Sequence, residues 1–395
     1  MQEANLKILS KSSVFLCLIS ALIYGAAGIA LINYLPPYLK DLGFNPSVVQ
    51  FVITIYPLAL IFFPQVFGKL SDKIQNRYIF IIMGSFGTSL IFLTLIFTKN
   101  LILITILLII YGMFNASYRL NFTLFQELTK SNSNFVIYYN AISVFGWFLG
   151  SQFGGIYIDI FGISRIFIFF LVISIINCSI ILFIRENRKD IIEYYNNEKN
   201  EKVNNNMEDE VDNNPSISKS LYIALFSRHF GVRPIVTILA ILMGFHLASG
   251  VQIGFLLGFN PLLQFFIMLI TGKFISKKNE KYVLMLGFFL SCGAILGYMF
   301  ATDFFSFFLS QIMVSASFAL FWNATQIYIA QKTDPNNKGK YLGYANSSFF
   351  SGGFFGGLFY TSLLIFNSDY YAFMWIMLIF PLISTLIIFF KFKSE

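Results

Sequence analysis

The chain has 395 residues, of which 57% are hydrophobic, 19% aromatic and only 12% charged, with a formal net charge of +8. A soluble domain carries about 25% charged residues, so this balance excludes a soluble globular protein and indicates a polytopic membrane protein. A nucleic-acid partner would account for the positive charge if it were gathered on one folded surface; its placement, traced below, follows membrane sidedness instead.

A bilayer core needs about 20 apolar residues per helix. Twelve runs meet or approach that length, at 14–38, 47–67, 78–98, 101–126, 135–158, 163–184, 231–249, 251–271, 282–300, 304–330, 341–366 and 370–390. No small-residue cleavage site follows the first run, which reads as a retained span and not a signal peptide. The seventh and eighth runs are nearly fused, and the break is placed at His246–Gly250. Pro234 suits the first turn of the seventh helix. Just upstream, Leu221–Phe230 is apolar on one side, with Arg228 and His229 beside it. It reads either as a helix lying along the membrane surface or as the start of a long seventh helix.

Residues 185–220 form the one long hydrophilic stretch, rich in Asn, Glu and Lys. It cannot bury enough apolar surface to offset its ordering entropy. It is expected to be a flexible linker between two six-helix halves, 1–184 and 221–395. Cys17, Cys178 and Cys292 lie singly in apolar runs, with neither metal-ligand spacing nor a disulfide framework.

The short charged loop Gly68-Lys-Leu-Ser-Asp72-Lys73-Ile-Gln-Asn-Arg77 has a weaker copy 204 positions later, Gly272 to Lys281, in which Ser276 replaces the Asp. Gly146 and Gly150 of the fifth run align with Gly352 and Gly356 of the eleventh at an offset of 206, as Asn140 does with Asn346. The chain is therefore built as a repeat. The spacing Gly68, Leu70, Asp72, Lys73, Arg77 resembles the loop between helices 2 and 3 of the major facilitator superfamily. That resemblance implies an all-α membrane protein with a 12-helix fold. Its two six-helix bundles would be related by a pseudo-two-fold axis, with a solute site near the midplane and transport by alternating access.

Sidedness follows from Lys and Arg. Of the 27 basic residues, 23 fall on the side holding both termini and the loops 68–77, 127–134, 185–233, 272–281 and 331–340. Lys40, Lys99 and Arg165 lie on or near the other side, and Arg119 lies inside a span. The termini are accordingly expected in the cytoplasm, and the protein in the plasma membrane.

Candidate functional residues fall into four groups. In the family loop, Gly68 allows close helix approach and Asp72 can meet the N-terminal end of helix 11. Arg77 needs an acidic partner, for which Glu127 at the end of the fourth run is suitably placed. Asp72, Lys73, Arg77 and Glu127 then form a gate, or the basic residues merely enforce topology. In the fifth run, Gly146, Gly150, Gly154 and Gly155 match all four glycines of a motif of drug and proton antiporters, with Ser151 where Pro is expected. They serve close helix packing and favour efflux slightly.

Arg119, with Asn115 at i−4, can bind an anionic or hydrogen-bonding solute group or reach down to Glu127. Other candidates at membrane depth are Tyr24, Asn33, Trp322, Gln326 and Asn346. All 19 carboxylates lie on the terminal side or at the far helix ends, none at midplane, so a proton, if one is coupled, falls to His246, or to Asp41 or Asp159 at the mouth, and facilitated diffusion stays open. No nucleotide-binding loop, metal cluster or nucleophile–base pair occurs in the sequence. The chain reads as a monomeric, cofactor-free transporter of a small organic solute and not an enzyme. An uptake permease for an anionic or polar metabolite using Arg119 is the alternative, and a non-transporting membrane sensor or scaffold ranks below it.

Overall fold

The computed structural model describes residues 10–55, 58–129, 133–186, 217–276, 278–332 and 335–392. Most of the expected linker, together with Tyr56 and Lys277, lies outside the described residues. Twelve helical passes follow one another: α1 Lys11–Asp41, α2 Pro46–Ile74, α3 Tyr78–Phe97, α4 Leu101–Leu128, α5 Ser133–Phe161, α6 Ile166–Ile181, α7 Lys219–Thr237 continued by Leu239–Gly244, α8 Gly250–Phe274, α9 Glu280–Phe300, α10 Phe304–Lys332, α11 Pro335–Phe366 and α12 Met374–Lys391. Eleven of them are long and apolar enough to cross a membrane. The twelve-helix expectation holds, and α1–α6 and α7–α12 form the two bundles.

The seventh pass is the exception, for a physical reason. Lys219–Thr237 is one continuous helix, so Leu221–Phe230 is the start of the seventh helix and not a surface helix. Arg228 and His229 lie buried in the bundle, at 2% and 6% exposure, and they interrupt the apolar run that would mark a span. The charge balance above places Arg228 and Arg233 in a loop; the structure puts both inside the fold. That leaves 21 basic residues on the terminal side, and the imbalance survives. Arg119 is likewise not the one charged residue within a pass. The break between α7 and α8 falls at Phe245–Ser249, as expected.

Local chemistry sets the ends. Asn100 caps α4 by accepting from the Leu103 amide at 3.1 Å, a side-chain acceptor for one of the amides a helix start leaves unsatisfied. Asp303 does the same for α10 through the Ser306 amide at 2.8 Å, and that hydrogen bond holds its carboxyl below the ordinary value. Gly43 and Gly162, at φ 83° and 81°, turn the chain between α1 and α2 and after α5, a backbone region that favours glycine. Two irregularities fall in the first half. α1 contains a π turn at Gly25–Ile29, and α4 is jointed at Arg119, between Leu101–Tyr118 and Leu120–Leu128.

The described ends of the chain lie on one face, here called the terminal face. Ser13 at the start of α1 donates to the Arg185 carbonyl after α6 (2.9 Å), and Ser220 at the start of α7 donates to the Lys391 carbonyl at the end of α12 (3.4 Å). The two halves meet toward the opposite, far face. There α5 packs on α8, and α11 packs on the Pro46–Ile55 part of α2. One apolar core runs through the first half and into the far-face part of the second. The terminal-face part of the second half has a core of its own, around Leu225, Leu284, Phe288, Phe321, Tyr328 and Ile388. Among the described residues, the bundles are thus joined most extensively toward the far face.

Candidate functional site

Between the halves lies a cavity of about 430 Å³. α1 contributes Tyr24, Gly28, Ile29 and Ile32, α2 Leu60, and α4 Asn115, Tyr118, Arg119 and Phe122. α5 adds Tyr139, Ser143 and Trp147, and α7 adds Arg233. The irregular turns help to place these groups. The π turn of α1 carries Gly28 and Ile29 into the wall, and such turns frequently mark functional sites. The joint of α4 falls on Arg119 itself, whose side chain is exposed in the cavity. Tyr24 stacks on Tyr118 with ring centroids 3.8 Å apart. Behind them, Tyr118 shares a hydrogen bond with Ser20 (2.7 Å), and Tyr139 accepts from Asn121 (3.0 Å). The buried Trp147 indole nitrogen has no hydrogen-bond partner among the described residues.

The electrostatics of this space are one-signed. Arg119 and Arg233 both line it, and no Asp or Glu does so among the described residues. A third guanidinium, Arg228, lies five residues before Arg233 on α7. Its Nε donates to Ser291 Oγ at 3.0 Å and its Nη2 to Ser317 Oγ at 3.4 Å, and it sits 4.6 Å from the Phe321 ring centroid. Charge so deep in a bilayer-spanning fold is costly and marks functional positions.

The structure brings three predicted residues, Tyr24, Asn115 and Arg119, into this one cavity. It directs the others elsewhere. Asn33 is buried against α5, donating to Ser151 Oγ at 2.8 Å. Trp322 packs among Phe318, Phe321 and Phe349. Gln326 and Asn346 are exposed on α10 and α11. His246 is exposed on the far-face loop after α7, 3.3 Å from the Tyr371 hydroxyl. Sequence reasoning missed Arg233 because charge so near the linker reads as loop. A helical projection of 219–237 would have found it, since it lies within the pass and not before it.

The terminal-face cluster is compact. Arg77 is buried, with Nη2 at 2.6 Å from Asp72 Oδ1 and 3.0 Å from Glu127 Oε1, and it also donates to Ser71 Oγ. Burial alone would weaken its hold on the proton. The hydrogen bond and charge of Glu127, then those of Asp72, outweigh burial and hold the guanidinium above its ordinary value. Glu186 accepts from the Arg77 and Tyr78 amides at the start of α3, both at 2.8 Å. Asp72 is 63% exposed and, among the described residues, makes no hydrogen bond to α11. Lys73 is exposed. A Cβ at Gly68 would meet no atom within 4 Å, so the close approach expected there is not made.

The α5 glycines, from mid-helix toward the far face, do make close contact. A Cβ at Gly146 or Gly150 would strike the carbonyls of Leu22 or Ala26 on α1, and one at Gly154 would strike the Tyr34 ring. One at Gly155 would strike the Gly250 carbonyl on α8. One turn further, Asp159 of α5 caps α8. Its carboxylate accepts from the Gly250 amide at 2.6 Å, the Val251 amide at 3.1 Å and Ser249 Oγ at 3.0 Å.

The family model of the MFS_1-like family matches residues 16–377. The chain belongs to that family. No curated protein matches this MFS_1-like chain in sequence. Among solved structures, it is similar to a mutant of the nucleoside transporter NupG, with TM-score 0.76 and 13% identity, covering 97% of this chain and 100% of that one. It is also similar to the POT family transporter PepTSo (0.74, 11%, covering 96% and 97%) and to a D-xylose-proton symporter (0.72, 14%, covering 97% and 98%). At such identities the likeness establishes the fold, and the family establishes a multi-pass membrane transporter of the major facilitator type.

Proposed function

We propose that this MFS_1-like protein moves a small organic anion with a flat apolar portion across the membrane by alternating access. The observation that carries this reading is the pairing of Arg119 from the first half with Arg233 from the second in one cavity without a lining carboxylate among the described residues. A guanidinium in a low-dielectric space is matched by an anion, and its fork geometry suits carboxylate or phosphate. The stacked Tyr24 and Tyr118 with Trp147 and Phe122 form the apolar wall that a cavity of this kind needs. A solute held between the two arginines touches both halves, which favours a transporter over a sensor or scaffold.

In this reading residues 1–184 and 221–395 rock about the cavity, joined by 185–220. Arg77, Asp72 and Glu127 belong to the terminal-face gate, and Asp159 with the α8 start belongs to the far-face gate. The terminal face lies in the cytoplasm of the plasma membrane, on the charge imbalance, and the protein works as a monomer. Efflux would rest on the α5 glycines alone. Each of them has a packing contact, so they supply no preference of direction.

The test is a thermal-shift measurement on the purified protein with benzoate and indole-3-acetate against their neutral amides. A ligand that binds the native protein raises its melting temperature by linkage. The anions are expected to stabilise and the amides to do so far less. Arg119→Gln is expected to weaken anion affinity about tenfold, as the loss of a charge-assisted contact implies, with little change for the amides. Equal weakening of both would make Arg119 structural, and no stabilisation by any anion would remove the anion reading.

A further inference from the structure

We propose that the far face carries a binding site for a small zwitterion with an apolar body, of the size and chemistry of an apolar amino acid. The site is a cavity of about 310 Å³. The end of α1 brings Lys40 and Asp41 to it. Ile158 and Ile163 of the first half and Ala240 and Ile253 of the second form apolar walls. The site goes beyond the anion reading above and does not rest on it, since this cavity shares no lining residue with the central one.

The two charges carry the inference. Lys40 and Asp41 are adjacent in the chain and opposite in sign, and both line the cavity, yet they do not pair with each other. Among the described residues neither makes an ion pair, and the Asp41 carboxylate accepts no hydrogen bond. Lys40 instead holds its ammonium 3.9 Å from the centroid of the Phe245 ring, on the loop after α7. That cation–π contact is electrostatic and leaves ammonium N–H groups available to a carboxylate. Asp41 is the last residue of α1. It lies at the negative end of the helix dipole, where a carboxylate is unfavourable and a bound cation favourable. The remaining polar groups at the cavity are already occupied. Asp159 is held by the start of α8 at Gly250, and Tyr34 donates its hydroxyl to the Ser151 carbonyl.

A simple anion meets Lys40 but is opposed by Asp41, and a simple cation meets the reverse. A zwitterion answers both charges at once, its carboxylate on Lys40 and its ammonium on Asp41. Its apolar body leaves water for the isoleucine walls. The volume lies at the lower end of the range for small-molecule sites, about 300–1,000 Å³. Because the walls come from both halves, the full set of contacts exists only while the far face is closed. Under the alternating-access proposal, parting α1 and α5 from α7 and α8 takes one wall away. A ligand that binds one form better shifts the population toward it. The occupant is therefore a clamp on the far face that acts from outside the central cavity.

Calorimetry on the full-length protein tests the site with leucine, leucinamide, which keeps only the ammonium, and N-acetylleucine, which keeps only the carboxylate. Leucine is expected to bind about fivefold more tightly than either. Lys40→Gln and Asp41→Asn, both at exposed positions, are each expected to weaken leucine about fivefold, the upper range for an exposed charge contact. Arg119→Gln is expected to leave leucine unchanged. Leucinamide binding as tightly as leucine makes this a cation site at Asp41, and N-acetylleucine doing so makes it an anion site at Lys40; each overturns the proposal. So does leucine binding that is lost in Arg119→Gln, which belongs to the central cavity, and so does the absence of leucine binding to the unaltered protein. Indole-3-acetate binding tests the anion reading separately and is unaffected by any of these outcomes. With spin labels on Lys99→Cys and Asn367→Cys, exposed far-face positions of the two halves, bound leucine is expected to deplete the long-distance population. An unchanged distribution with leucine bound overturns the clamp.

Discussion

Replacing Asp159 by alanine tests the far-face contact most directly. The carboxylate accepts three hydrogen bonds at the start of α8, from the Gly250 and Val251 amides and from Ser249 Oγ. It joins α5 of one half to α8 of the other, so under the alternating-access proposal its loss acts on the equilibrium between far-face-closed and far-face-open forms. Losing a capping side chain at a helix start costs about 1 kcal/mol. An exposed carboxylate at the positive end of the helix dipole contributes a further few tenths, up to about 1 kcal/mol at low salt. A shift of about 1 kcal/mol changes the ratio of the two forms by about fivefold. Asparagine caps nearly as well as aspartate, so Asp159→Asn should lose only the charge contribution, and less of it at high salt. Spin labels on Ser164→Cys and Asn367→Cys, exposed positions on far-face loops of the two halves, report the separation by pulsed electron resonance. The expected result is a growing long-distance population for Asp159→Ala and a small change for Asp159→Asn. An unchanged distribution in Asp159→Ala would show that the glycine packing alone closes this face.

At the terminal face, Glu127→Gln should lower the melting temperature more than Asp72→Asn, because side-chain exposure is 14% for Glu127 against 63% for Asp72 and exposed pairs contribute little. Equal shifts would place the stabilisation with Ser71 and the backbone instead. Two glycine substitutions separate folding from gating. Gly150→Ala drives a methyl into the Ala26 carbonyl within one half and should abolish folded protein in size-exclusion profiles. Gly155→Ala meets the Gly250 carbonyl across the halves, and should fold and populate the far-face-open form in the spin-label assay. A folded, well-behaved Gly150→Ala would overturn the first expectation, and an unchanged distance distribution in Gly155→Ala the second.

The fold was legible because its signals are long-range and redundant. Apolar run length, the repeat at offsets 204 and 206 and the basic side of the loops all depend on many residues at once. The site was legible only where one residue broke the pattern inside a run. Arg119 did so, in a stretch of α4 otherwise free of charge. Arg228, His229 and Arg233 did not, since charge close to a hydrophilic linker looks like more linker. Only the packing of α7 against α11 and α12 shows that they are interior. Asn33 and Trp322 are the converse case. A polar or aromatic residue at membrane depth can face a cavity, a neighbouring helix or an aromatic cluster, and helical periodicity in a run that is apolar all round does not choose among them.

The joint in α4 has a mechanical consequence. Arg119, which lines the cavity, is also the point where the helix is interrupted, and the short segment beyond it, Leu120–Leu128, carries Glu127. Eight residues at 1.5 Å each make a lever arm of about 12 Å, so a tilt of about 10° at the joint displaces Glu127 by about 2 Å. Its contact with Arg77 spans 3.0 Å and does not tolerate that displacement. A pull on Arg119 is thereby felt at the edge of the protein as the loosening of a single ion pair.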